Sequence, residues 1–249
     1  MPIGVIVNCL AVLLGGVTGA LLGERIPLKL RNVLPLIFGL ASIAMGLGAV
    51  VQVNTLPAVI LALILGSAIG ELIDLEGLIA RAVGKVKGPM EKLFAKKKPG
   101  ADIDDSLLKE SSGSEFMERF VSIIVLFCAS GTGIFGALTE GITGDYTILL
   151  TKSILDFFTA IIFASTLGYL VAAVALPQFA VLMLLFISAA LIMPLTTPIM
   201  LADFTALGGI IMLATGFRIS GIKSFPIANM LPAFILVMPL SYLWSLLPI

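Results

Sequence analysis

Histidine is absent from this chain of 249 residues, and cysteine occurs only twice. Cys9 and Cys128 each lie alone in an apolar run, where a thiol behaves as a small hydrophobic group and does not predict a disulfide. The chain therefore lacks the usual ligand sets for zinc and haem, and it has no imidazole for acid or base catalysis. We expect no metal site, no cofactor and no enzymatic activity.

Charge is scarce as well. Only 12% of the residues are charged and 59% are hydrophobic, with a mean hydropathy of +1.16. Soluble domains carry charge on about a quarter of their residues. This composition excludes a water-soluble fold, and the net charge of zero gives no indication of nucleic-acid binding. It predicts an all-α fold, a polytopic bundle of transmembrane helices forming one membrane domain, residues 1–249, whose partner is the lipid bilayer.

Apolar stretches of about 20 residues, the length that crosses a bilayer, give the number of spans. We predict about eight of them. They cover residues 3–22, 33–53, 56–73, 120–138, 147–170, 179–193, 199–216 and 227–247.

The basic residues are segregated along the chain. Fourteen of the fifteen Lys and Arg lie in three segments, residues 25–31, 81–119 and 218–223, which alternate with segments almost free of base. Positive charge is retained on the cytoplasmic side of membrane proteins. We therefore predict that these segments are cytoplasmic and that both termini lie outside.

The long charged loop, residues 80–118, divides by sign. The part from Arg81 to Lys98 has seven bases against Glu91, and apolar residues recur there at helical spacing. Such a pattern favours an interfacial helix on anionic lipid headgroups. A solvated tether is the alternative, and it is favoured for Pro99–Gly113 by composition.

Short sequence matches indicate internal parallel hairpin repeats. The hairpin of the first two spans matches that of the last two, and two further pairs recur at an offset of 47 residues on odd-numbered spans. The hairpins match at Gly15-Gly16 with Gly208-Gly209 and at Arg25-Ile26 with Arg218-Ile219. The pairs at the offset of 47 are Gly19-x-x-x-Gly23-Glu24 with Gly66-x-x-x-Gly70-Glu71, and Asp156-Phe157 with Asp203-Phe204. Parallel repeats occur in transporters whose halves share an axis along the membrane normal.

Polar side chains inside the predicted spans are the first candidates for function. Asn8, Asn54, Asp156 and Asp203 lie at similar depth on odd-numbered spans. A charged group in hydrocarbon costs about 2.5–3.5 kcal/mol and usually faces a polar cavity, so a ring lining a solute or ion path is expected. Lys152 precedes Asp156 by one helical turn and can neutralise it. Alternatively, this pair lies at the outer membrane interface.

Helix breakers mark two further segments. The glycine-rich run 130–136 contains Thr132, and the turn 193–198 contains Thr196 and Thr197. Broken helices expose backbone groups that coordinate solutes in transporters, and the threonine hydroxyls suit that role. The alternatives are close helix packing for the glycines and an ordinary outer turn for the prolines.

The opening motif Gly4-x-x-x-Asn8-x-x-Ala11-Val12-x-x-Gly15-Gly16-x-x-Gly19-x-x-x-Gly23-x-x-Ile26-Pro27, with the charged loop and the late Gly208-Gly209, resembles the YqgA/YdfK-type family of bacterial inner-membrane proteins. The resemblance covers the whole chain and implies a multi-pass protein of the bacterial inner membrane. That family is uncharacterised, so the resemblance implies no catalytic residues.

Two functions are consistent with these patterns. The first is a secondary transporter of a small solute, with ion coupling left open, in which Asn8, Asp156 and Asp203 line the path. The second is a non-transporting membrane scaffold or sensor that acts through the cytoplasmic loop. The sequence does not set the oligomeric state and leaves a homo-oligomer open.

Overall fold

The computed structural model describes residues 1–22, 25–85, 124, 127–128 and 130–246. Regular structure in these ranges is helical. The helices are α1 (Ile3–Leu22), α2 (Leu28–Val50), α3 (Leu56–Leu72), α4 (Leu75–Lys85), α5 (Gly131–Thr143), α6 (Thr147–Leu167), α7 (Leu170–Ala173), α8 (Ala175–Ile192), α9 (Pro198–Ile219), α10 (Ile227–Met230) and α11 (Ala233–Ser245), with a 3₁₀ turn at Met193–Leu195.

The predicted fold class, a polytopic helical bundle, is confirmed. Among the described residues, six helical stretches are long and apolar enough to cross a membrane, and α3 is a shorter apolar helix of 17 residues. The six lie in α1, α2, α6, α7–α8, α9 and α10–α11. In the predicted span 120–138, residues 120–123, 125–126 and 129 fall outside the described residues, and α5 covers its second part.

Several helix limits differ from those predicted. α6 ends at Leu167 because Gly168 adopts φ 66°, a left-handed conformation that favours glycine. α8 begins at Ala175, so Gln178 and Pro177 belong to a helix and not to the predicted loop. Pro177 is tolerated there because the first turn of a helix needs no N–H donor from it.

The bundle has two regions that pack in similar ways. In the first, α1 packs on α6 and on the broken helix α7–α8; in the second, α3 packs on the broken helix α10–α11 and on α9. α2 packs mainly on α9, whereas α1 packs mainly on α6. α5 lies between α8 and α9 and joins the regions. The internal repeat itself stays a prediction.

Glycines set the closest helix approaches in both regions. A Cβ atom on Gly16 would collide with the backbone of Ala172, at the break between α7 and α8. A Cβ atom on Gly66 would collide with Ala233, which begins α11 after the corresponding break. Small residues permit such close packing between helices in a membrane, where apolar burial alone gives little driving force.

Aromatic packing forms the centre of the bundle. Phe135 of α5, Phe204 of α9 and Phe234 of α11 have ring centroids 5.1 to 6.2 Å apart. Large apolar side chains such as Leu184 and Leu191 are instead 66% and 76% exposed. In water such exposure would be unfavourable, but on a spanning helix it provides the surface that faces lipid.

Ion pairs and hydrogen bonds link the helices at the end of the bundle that carries Arg81 and Arg218. Arg218 binds Glu76 at 2.7 Å, and Arg81 binds Asp74 at 3.0 Å. Asn229 donates to Glu71 at 2.7 Å and accepts a hydrogen bond from the Glu76 N–H at 2.7 Å, which ties α10 to α3 and α4. α4 covers the start of the predicted interfacial helix, whose remainder, from residue 86, lies outside the described residues. Anionic lipid binding there stays a prediction.

Candidate functional site

An ion pair is buried midway along α6. Asp156 is the tenth of its 21 residues, and Lys152, one turn earlier, places its Nζ 2.5 Å from the Asp156 carboxylate oxygen Oδ2. The side chains are only 4% and 10% exposed. Because opposite charges one helical turn apart lie on the same face, α6 alone positions both members of the pair.

Two amide side chains from other helices bind the same carboxylate oxygen. Asn8 of α1 donates to Asp156 Oδ2 at 2.8 Å, and Gln178 of α8 donates to it at 3.1 Å. Gln178 also donates to the Asn8 Oδ1 at 2.6 Å, which links the two amides. We name these four residues, Asn8, Lys152, Asp156 and Gln178, the Asp156 cluster.

The start of α5 lies beside Lys152. A Cβ atom on Gly133 would lie 2.8 Å from the Lys152 Cε, so this glycine leaves the room that the lysine side chain occupies. Ser130 caps α5 by accepting a hydrogen bond from the Gly133 N–H at 3.4 Å. The Lys152 ammonium lies 5.8 Å from the centroid of the Phe127 ring, within the range of a cation–π interaction.

One atom of the cluster is unsatisfied. Gln178 is fully buried, and among the residues that the structure describes none donates a hydrogen bond to its Oε1. A buried acceptor without a donor costs about 1–3 kcal/mol. Such atoms are rare in folded proteins, where a bound water, an ion or a functional role accounts for them.

Asp203 is buried too, but its partners are of another kind. Its Oδ1 accepts hydrogen bonds from the backbone N–H groups of Asn54 and Thr55, at 2.9 and 2.6 Å. Its Oδ2 accepts one from the Ser241 hydroxyl at 2.6 Å. We name these four residues the Asp203 cluster. Because the N–H groups belong to the start of α3, the carboxylate complements the positive end of that helix dipole.

The predicted ring of polar groups is divided among separate places. Asn8, Asp156 and Lys152 meet in the Asp156 cluster, whereas the Asn54 side chain is exposed and only its backbone reaches Asp203. Thr132 of α5 lies 3.4 Å from the Ser42 hydroxyl of α2.

Thr196 and Thr197 lie in the turn between α8 and α9. Thr196 donates to the Met193 carbonyl, and Thr197 caps α9 by accepting from the Met200 N–H at 3.3 Å. In the structure both hydroxyls therefore stabilise a turn and lie apart from Asp156. A role for them in a solute path stays a prediction.

Sequence reasoning missed Gln178, Glu140 and Ser241, which are buried polar residues that bind groups on other helices. Gln178 lies between the predicted spans 147–170 and 179–193, and an amide between Leu176 and Phe179 is a signal of a polar group inside apolar sequence. Glu140 lies between the predicted spans 120–138 and 147–170, but it belongs to α5, is buried, and accepts hydrogen bonds from the backbone N–H groups of Gly4 and Val5, at 2.8 and 3.2 Å. The signal there is an acid at the end of a helix that otherwise carries no charge.

The apolar helices and the buried ion pair define the class: a multi-pass helical membrane protein. The chain belongs to the family described as "Protein of unknown function (DUF554)", whose model matches residues 3–242. This confirms the family indicated by the opening motif.

The curated relatives match the chain over nearly its full length. It is 50% identical over 245 residues to "Uncharacterized protein YqgA" of Escherichia coli (strain K12), which covers 98% of both chains. It is 28% identical over 237 residues to "Uncharacterized membrane protein YdfK" of Bacillus subtilis (strain 168), covering 94% of this chain and 93% of the relative. No solved structure matches the chain.

Proposed function

We propose that this protein is a secondary transporter of a small solute and that the Asp156 cluster is part of its solute and ion site. The observation that carries the proposal is a buried ion pair bound by amides from two further helices, with one amide oxygen left without a donor. Asn8, Asp156 and Gln178 belong to α1, α6 and α8, so any relative movement of these helices changes the site.

A buried ion pair of this kind is not needed for the stability of the bundle. Well-packed hydrophobic residues in place of a buried ion pair are often as stabilising or more so, by about 1–4 kcal/mol. Ionisable groups inside membrane segments usually mark solute pathways or proton relays. Stability alone therefore does not account for Lys152 and Asp156, and a polar function does.

Helix breaks beside the pair give further support. α5 begins at Gly131, next to Lys152, and the broken helix α7–α8 brings Gln178 to Asp156. In many transporters, discontinuous helices at the interface of two repeats form the binding site. The two regions described above, α1 with α7–α8 and α3 with α10–α11, are the units that we expect to move.

Orientation and location form part of the proposal. Arg81 and Arg218 pair with Asp74 and Glu76, which lie two residues apart at the start of α4, so both bases lie on one side of the bundle. By the positive-inside rule, we assign this side to the cytoplasm of a bacterium and both termini to the outside of its inner membrane. The scaffold or sensor hypothesis depends on the loop 80–118, most of which lies outside the described residues, and it stays a prediction.

Ligand-dependent stability of the purified full-length protein tests this proposal. A solute that binds only the folded state raises the melting temperature. The protein in detergent is screened against sodium, amino acids and organic acids, and each stabilising solute is then tested for flux in proteoliposomes. We expect at least one solute to stabilise and cross with the wild type.

Matched aspartate variants supply the control. Asp156→Asn should abolish both stabilisation and flux, whereas Asp203→Asn, which changes a carboxylate engaged only by neutral donors, should retain both. Solute binding that survives in Asp156→Asn, or flux that is lost equally in the two variants, would overturn the assignment of the site. Stabilisation by no solute at all would count against transport.

A further inference from the structure

A groove of about 410 Å³ lies between α1 and the broken helix α7–α8. This volume is within the range of about 300–1,000 Å³ that is common for sites binding small molecules. The described residues that line the groove are all uncharged, and they include Cys9, Leu10 and Leu13 of α1 and Ala173, Ala175 and Phe179 of α7–α8. We infer that this groove, which we name the α1 groove, binds one acyl chain of a membrane lipid.

Small side chains create the α1 groove. Gly16 brings α1 against the backbone of Ala172. Ala173 and Ala175, which follow in the broken helix and line the groove, each have a single methyl group, so space is left beside α1. Atoms of a wall without neighbours lose van der Waals contacts. An occupant that restores these contacts is therefore favoured.

The position of the groove decides the chemistry of its occupant. α1 and α7–α8 both belong to stretches that are long and apolar enough to cross a membrane. The groove is continuous with their lipid-facing surface, where Leu10 is 49% and Leu176 is 76% exposed. Apolar cavities do not hold water, and a polar occupant would leave its hydrogen-bonding groups unpaired. A hydrocarbon chain satisfies both conditions.

The direction of the groove also suits an acyl chain. Ile6, Leu10 and Leu13 are spaced by four and three residues, so they form a stripe along one face of α1. From Ile6 to Leu13 this stripe is about 10 Å long, at about 1.5 Å per residue. Because α1 crosses the membrane, the groove runs across the membrane as well, which is the direction in which lipid chains extend.

The α1 groove shares both of its walls with the Asp156 cluster. Cys9 follows Asn8 on α1, and Phe179 follows Gln178 on α8. The hydrogen bond from Gln178 to the Asn8 Oδ1, at 2.6 Å, joins the two helices between which the groove lies. A chain in the groove therefore holds α1 and α8 at the separation at which these amides meet. Solute binding then depends on lipid, a consequence that rests on the proposed transport function.

Native mass spectrometry of the full-length protein tests lipid binding without a known solute. The protein is incubated in detergent with dioleoyl phosphatidylethanolamine and then released from the micelle. Ala173→Phe places a ring in the groove, and we expect the wild type to retain one lipid molecule more than this variant. Ala175→Leu fills the same space with a smaller side chain and replaces Ala173→Phe if that variant does not fold. Ala180→Phe, at an exposed position of α8 outside the lining, is the matched control and should retain the lipid.

The same measurement separates an acyl chain from the other occupants. Decane has no headgroup, so it should displace the retained lipid if the groove binds the chain. Equal numbers of lipids in the wild type and in the filled variants, or a lipid that decane does not displace, would overturn the inference. A complex of two protein copies that dissociates in Ala173→Phe would show that a second copy occupies the groove, which also overturns it.

Thermal stabilisation by a solute found in the screen described above tests the link to the Asp156 cluster. The wild type stripped of lipid should lose this stabilisation and regain it when lipid is added. Ala173→Phe should keep it without lipid, because the ring replaces the chain. Solute binding that is the same in the wild type with and without lipid would overturn the link while the transport proposal stands. If no solute stabilises any form, the link and the transport proposal fail together, and the lipid count still decides whether the groove binds a chain.

Discussion

Asp156 and Asp203, the two buried aspartates among the described residues, show how different a carboxylate's role can be at similar burial. Asp203 is bound by two backbone N–H groups and one hydroxyl, all neutral and all directed at it by α3 and α11. Asp156 is bound by an ammonium and two amide side chains, one of which has an oxygen with no described donor. Backbone donors are fixed by the fold, whereas side-chain donors can rotate.

This difference between the two clusters predicts which substitutions should change stability and which should change function. The Asp203 cluster is complete in itself and joins the start of α3 to α9 and α11. The Asp156 cluster keeps costly charge and an unsatisfied oxygen in the bundle, which stability does not require. We therefore expect substitutions at Asp203 to act mainly on stability, and replacement of the whole Lys152–Asp156 pair by neutral residues to act mainly on function.

The largest effect is expected when one member of the ion pair is removed. Asp156→Leu leaves the Lys152 ammonium buried without its partner, and breaking a buried pair in this way costs about 3–5 kcal/mol. The free energy of unfolding in mixed detergent micelles measures the loss. A loss below about 1 kcal/mol would show that Lys152 is solvated or neutral and would weaken the contrast between the two aspartates.

Removal of the Asp203 carboxylate should come next. Asp203→Leu leaves three donors without an acceptor, for a loss of about 3 kcal/mol in the same measurement. Asp203→Asn keeps an oxygen for the two backbone N–H groups and should retain most of the stability. Equal losses in the leucine and asparagine variants would contradict the capping role of Asp203.

Glycine substitutions test whether the scaffolds around the two aspartates are equivalent. Gly16→Ala and Gly66→Ala should each destabilise by about 1–3 kcal/mol, because the added methyl group meets Ala172 or Ala233 backbone atoms. Gly48 has no atom within 4 Å of its would-be Cβ, so Gly48→Ala is the control and should be neutral or slightly stabilising. If only one of Gly16→Ala and Gly66→Ala lowered the free energy of unfolding, the two regions would be packed differently.

A smaller effect on stability is expected at Gln178. Gln178→Leu removes the unsatisfied Oε1 but leaves the buried Asn8 Oδ1 without its donor, so these two changes offset each other and the net loss should be about 1 kcal/mol, from the hydrogen bond to Asp156. Solute binding, measured as ligand-induced thermal stabilisation, should nevertheless be lost. Retained binding at unchanged affinity would place the solute away from this amide.

The smallest change in stability is expected when the whole ion pair is replaced. Lys152→Met combined with Asp156→Leu removes both charges together, so the free energy of unfolding should stay within about 1 kcal/mol of the wild type or rise. Flux and solute binding should be abolished. A folded double variant that still transports would exclude the ion pair from the mechanism. The proposed functional difference between Asp156 and Asp203 would then be wrong.

Part of the site could be predicted from the sequence. Asn8, Lys152 and Asp156 stand out because a polar group in an apolar run is unusual, and the spacing of Lys152 and Asp156 places them on one helix face. Gln178 did not stand out, because the break after Leu167 shifts it from a predicted loop into α8. Helix breaks depend on the backbone conformation of single residues such as Gly168. A hydropathy pattern is an average over many residues and does not detect such a conformation.

The sequence by itself determined that this is a bundle of membrane helices and set the segregation of its basic residues. Transfer into lipid is a local property, summed over about 20 consecutive residues, so it can be evaluated without knowing any contact. Only the tertiary structure decided that Asn8 meets Asp156 across 148 residues and that Ser241 meets Asp203 across 38. These contacts depend on which helices pack together, and packing is set by the shapes of several helices at once, which no single stretch of sequence contains.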